Sequence, residues 1–167
     1  MKSVLLMLLA AATACSAKHS TPPRTSASGI SSPRADFAKY HTFTFGAANP
    51  PAADYQITAR SLEVQRRLAL LVQASLQDRG YRQSSENADL VIKVSAGSGA
   101  LPDGEIKSYG PPKQVPAGFI GIDAYDGTSG VGIWHGAAFA EIDPERIDDG
   151  LLSRGVEGML ASFPVRD

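Results

Sequence analysis

The stretch DFAKYHTFTF, Asp36 to Phe45, sets aromatic against polar residues from Phe37 onward and is rich in strand formers. It predicts a strand with one buried face, closed by Gly46 and the Asn49-Pro50-Pro51 break. From about Thr58 to Arg79 the period changes. Val64, Leu68, Leu71, Val72 and Leu76 recur at helical spacing, while Glu63, Arg66, Arg67 and Gln77 fall opposite them. Gly80 stands where a left-handed cap residue ends such a helix. Asp89 to Val94 reads as a second, more continuously apolar strand. Residues 97–117, GSGALPDGEIKSYGPPKQVPA, carry the Gly and Pro of a long loop. Gly118–Asp126 and Gly130–Phe139 predict a hairpin across the turn at Asp126-Gly127-Thr128-Ser129. Asp143-Pro144-Glu145 supplies an N-cap, a proline at the first helical position and an acid in the first turn. Leu152, Val156, Met159, Leu160 and Phe163 give that last helix its apolar stripe. Gly150, Gly155 and Gly158 interrupt it, as expected where a helix approaches a sheet closely.

The order strand, helix, strand, strand, strand, helix predicts an α+β domain over residues 36–167. In it, two helices pack on one face of a four-stranded, mostly antiparallel sheet. The stretch SAKHSTPPRTSASGISSP, Ser16 to Pro33, lacks periodicity and reads, together with Cys15 and the residues to 35, as a tether.

The first residues add a location. Met1-Lys2 is a short positive start and Val4 to Ala12 an apolar core. Ala12-Thr13-Ala14 are small residues ahead of Cys15, the chain's one cysteine. This is the order of a secretory signal peptide, and the apolar stretch is too short to span a bilayer. Ala12-Thr13-Ala14-Cys15 resembles the bacterial lipobox, which implies a signal peptide over residues 1–14 and an acylated Cys15 anchoring the mature chain. Lone thiols in exported proteins call for such an explanation. Ser16, where lipoproteins held at the inner membrane commonly carry aspartate, points to the periplasmic face of the outer membrane. The residues from Ala35 onward hold 17 acids against 12 bases, a net of −5 with neutral histidines. That charge, with no basic patch interleaved with aromatics, argues against nucleic acid as a partner.

DFAKYHTFTF, the helix ending LQDRGYRQ, ADLVIKV, the hairpin GFIGIDAYDGTSGVGIWHGAA and the closing MLASFP together resemble the bacterial lipoprotein family called domain of unknown function 4136. The resemblance runs from about Asp36 to Pro164 and implies an α+β fold and an envelope location. The family carries no established catalytic residues, so it implies none here.

Catalytic chemistry finds little purchase. His19, His41 and His135 fall on the tether and on two separate strands, without a ligand-spaced His/Cys cluster, so neither metal nor cofactor is expected. Asp123 and Asp126, three apart, point to different faces of a strand and its turn, reading as exposed sheet and turn aspartates. Asp148-Asp149 reads as a helix-start pair, favourable at the positive end of the dipole. On the hairpin, Ile120, Ile122 and Ala124 form the natural core face. Phe119 and Tyr125 are then expected on the outer face, with Trp134 placed by a hairpin register that the sequence does not fix. Such aromatics over glycines either bind a partner or shield the sheet. The expectation is a membrane-anchored, non-enzymatic module that binds an envelope protein or supports envelope assembly. The rival is a small envelope hydrolase with the 97–117 loop as a lid over a carboxylate.

Overall fold

A computed structural model of the chain describes residues 25–51, 53–102, 114–141 and 148–166. The proposed signal peptide, Cys15 and the Asp143-Pro144-Glu145 helix start lie outside the described residues. The elements run β1 (Thr25–Ser31), a single 3-10 turn (Phe37–Lys39), β2 (Thr42–Phe45), α1 (Ala59–Asp78), β3 (Arg82–Gln83), β4 (Leu90–Pro102), β5 (Gln114–Asp126), β6 (Gly132–Glu141) and α2 (Asp149–Leu160).

The architecture is broadly α+β, but the four-stranded, mostly antiparallel sheet is corrected. The sheet has six strands in the order β1-β6-β5-β4-β2-β3 and is mixed: β2 runs parallel to both β3 and β4, and the other pairs are antiparallel. Parallel pairing follows from the crossover through α1, which returns the chain to the same end of the sheet. Three local readings change with it. The C-terminal part of the presumed tether is β1, paired along seven residues with β6. The strand read over Phe37–Phe45 shortens to Thr42–Phe45, because Asp36 accepts the Ala38 N–H and starts a 3-10 turn. Most of the 97–117 loop is strand: β4 and β5 stay paired from Leu90↔Asp126 to Pro102↔Gln114.

Both helices lie against one face of this sheet. Thr58 and Ser61 cap α1 reciprocally, each side chain accepting the other's backbone N–H at 3.1 and 2.7 Å. Gly80 closes it at φ +87°, a conformation only glycine adopts freely. Leu68, Val72 and Leu76 of α1 share a core with Leu152, Val156, Met159 and Leu160 of α2 and with Phe43, Ile92, Ile122 and Ala124 of the sheet. The glycines of α2 let it sit close. A Cβ on Gly155 would come within 3.0 Å of the Ile120 side chain, and one on Gly158 within 2.8 Å of Ala27 in β1.

Candidate functional site

The outer face of the sheet is not open. The connection from β2 to α1, described over residues 46–51 and 53–57, runs along it as a strap and crosses to the helix side over β4's free edge, where Gln56 and Ser98 exchange backbone hydrogen bonds. Asn49 Nδ2 donates to Asp123 Oδ2 at 2.7 Å and to the Tyr125 hydroxyl at 2.8 Å. Pro51 and Tyr55 pass over Gly97, and the Asp54 carbonyl lies over Gly99; a Cβ on either glycine would approach them within 2.6 to 2.8 Å. These glycines in β4 mark a backbone crossing, not a loop.

The three aromatic candidates separate. Phe119 lies on the outer face but is only 6% exposed, because Tyr55 of the strap and Phe139 of β6 pack on it with ring centroids 5.5 and 5.4 Å away. Tyr125 is half-buried on the same face beneath Asn49, with Lys93 Nζ 4.6 Å from its ring centroid. Trp134 is on the opposite face. A bulge between Ala124 and Tyr125 sets Trp134 opposite Ala124, and it sits in the core at 3% exposure with its Nε1 donating to Ser162 Oγ. The structure therefore joins Phe119 and Tyr125 under one strap and removes Trp134 from that surface. The strap residues Asn49, Pro51 and Tyr55 escape a sequence reading; the signal for them is the glycine pair Gly97 and Gly99 inside a strand.

The carboxylates are engaged, which corrects their reading as merely exposed groups. Asp123 Oδ1 lies 2.6 Å from His135 Nδ1 on the outer face. Asp126 is buried at the hairpin turn. It accepts from the Ser129 N–H and hydroxyl, the Thr128 N–H, the Tyr40 hydroxyl and Lys39 Nζ at 2.8 to 3.1 Å. The Ser129 N–H, then the Tyr40 hydroxyl and Lys39, hold its pKa well below the usual carboxylate range against the opposing effect of burial. Burial pushes Asp89 up, but donors outweigh it: the N–H groups of His41 and Thr42 and the Thr42 hydroxyl leave its pKa lowered. Asp123 and Asp126 share no partner. Among the described residues no group of three or more His, Cys, Asp or Glu side chains converges, and no helix is long and apolar enough to cross a membrane.

A concavity lies at the other end of the sheet from the Asp126 turn. It is a cleft of about 1520 Å³ between the N-terminal turns of α1 and α2 and the strand segments beneath them. Small residues, among them Ala96, Gly118, Ala138 and Gly155, form much of its floor, with Ile120, Val64 and Leu152 supplying bulk. Arg60 and Arg154 line it without an ion-pair partner among the described residues. Asp148 instead caps α2 by accepting the Leu151 N–H, and Asp149 pairs with Arg67 at 2.7 Å. A lid over a catalytic carboxylate, as the hydrolase reading drew it, loses residues 97–102 and 114–117 to the β4–β5 pairing.

Residues 31–165 match the family model described as Domain of unknown function (DUF4136). The match begins at the last residue of β1, so nearly all of that strand precedes it. A PDZ domain protein from Parabacteroides distasonis is similar in structure, with a TM-score of 0.57 and 13% identity over 87% of this chain; this chain spans only 37% of that one. PelC from Paraburkholderia phytofirmans, solved as a dodecamer, gives a TM-score of 0.51 and 13% identity over 86% of this chain and 100% of its own. At such identities the likeness is one of fold. A search of curated proteins finds no match to the chain.

Proposed function

The chain belongs to the domain of unknown function 4136 family, and from that premise we propose that it is a lipid-anchored module of the bacterial envelope that acts by binding. Cys15 is the anchor, and the periplasmic face of the outer membrane is the location. The observation that carries this reading is the position of the chain's one cysteine. It follows a nine-residue apolar run whose last residue, Ala12, opens the small-residue stretch Ala12-Thr13-Ala14, and nine residues separate it from the sheet's edge strand. Two acyl chains hold a protein stably at a bilayer, because each buried methylene contributes about 0.8 kcal/mol. The cleft between the helix starts, with its small-residue floor and two arginines that have no ion-pair partner among the described residues, supports binding as the activity. PelC forms a dodecamer, so self-assembly is the form of binding to look for first.

The test is Cys15→Ser in the native host, with incorporation of a clickable fatty acid and fractionation of the envelope as readouts. The variant is expected to take up no label, to retain its signal peptide and to leave the outer-membrane fraction. A variant that matures and fractionates like the wild type contradicts the proposal.

A further inference from the structure

We infer that the end of the domain carrying Ile57, Arg60 and Leu62 rests on the surface of an anionic bilayer, with the cleft mouth turned toward the headgroups. The inference depends on Cys15 being the anchor and adds to it an orientation and a contact surface.

Chain length limits the distance. Only nine residues separate Cys15 from Thr25, so the first residue of β1 stays within about 35 Å of the acylated cysteine even at full extension. Register then shows which other residues share that end. Gln56 bridges Ser98, Ser98 pairs with Gly118, Gly118 with Ala140, and Ala140 with Thr25. One transverse row of the sheet therefore runs from the anchor-proximal residue to the start of α1. The turn at Asp126 lies eight residues further along β5, about 26 Å away at the usual strand rise.

The row carries a surface suited to lipid. Ile57 and Leu62 are 59% and 45% exposed on either side of Arg60, the one place among the described residues where two large exposed apolar side chains lie so close in the chain. Arg60 and, across the cleft, Arg154 have no ion-pair partner among the described residues. Between Cys15 and Thr25 the formal charges are Lys18 and Arg24, with no acid. Two apolar side chains seated among basic groups match an interface that is apolar just beneath a layer of phosphates. Among the described residues the acids lining this end are Asp54, Glu141, Asp148 and Asp149; Asp148 caps α2 and Asp149 pairs with Arg67.

The experiment uses the full acylated chain reconstituted in vesicles of phosphatidylethanolamine and phosphatidylglycerol. A single free thiol is introduced at Ala59 or at Thr128, both exposed, and labelled with a fluorophore read against a headgroup-linked quencher. The expected result is several-fold stronger quenching at position 59 than at 128, with the difference abolished by Ile57→Asp combined with Leu62→Asp. Co-flotation with vesicles is measured on the same samples. Flotation with equal quenching at both positions, or with stronger quenching at 128, overturns the orientation and leaves the anchor standing. Loss of flotation overturns the anchor and the orientation with it.

Discussion

Tyr55 buries a hydroxyl that has no hydrogen-bond partner among the described residues, while its ring completes the trio with Phe119 and Phe139. An unpaired buried hydroxyl costs about 1–3 kcal/mol, whereas the ring contributes through burial and about 0.5–1.5 kcal/mol per aromatic pair. Tyr55→Phe is therefore expected to hold or raise the melting temperature, and Tyr55→Ala to lower it markedly; thermal denaturation of the two variants checks the pair. Asp126 gives a pH signature. Its folded pKa lies below the unfolded value of about 3.9, so its contribution is complete above that value and fades as pH falls toward the folded one. Asp126→Asn should thus melt below the wild type at pH 7, with the gap closing as the pH drops below about 4. Melting curves across that range decide it, and a gap independent of pH would contradict the assignment. At this scale the sequence placed Asp126 in a turn but not its partners. Tyr40 and Lys39 lie more than eighty positions away and meet it only once β2, β4 and β5 pair.

α1 was legible in outline because its 3.6-residue period, its cap and Gly80 all agree. Leu68 is fully buried and Arg66 exposed, so Leu68→Ala should cost about 2–5 kcal/mol and Arg66→Ala little, as chemical denaturation would show. β1 was illegible for the opposite reason. Thr25-Ser26-Ala27-Ser28-Gly29-Ile30-Ser31 has the composition of a linker, and only its pairing with β6 and the closeness of α2 make it a strand. Gly29 is the critical contact: a Cβ there would fall within 2.4 Å of the Met159 carbonyl and 2.5 Å of the Trp134 ring. Gly29→Ala is expected to detach β1 while the core under α1 persists, which limited proteolysis would report as new cleavage within residues 25–31. The 97–117 stretch misled by the same route. Gly97 and Gly99 mark a crossing strap, and no local pattern distinguishes that from a turn.

For the whole molecule, the addition of β1 shortens the proposed leash from Cys15. A tether extending to Ala35 would reach about 70 Å; one ending at Thr25 reaches about half that, and it delivers the chain to the end of the sheet that bears the cleft. The proposed short-leash anchoring, on which the orientation rests, therefore depends on seven residues being sheet in the acylated protein. Hydrogen exchange of the full-length, membrane-reconstituted chain measures this directly. The account predicts that amides within Thr25–Ser31 that bond to β6 exchange orders of magnitude more slowly than an unstructured peptide. Exchange of the whole segment at the unprotected rate would contradict it.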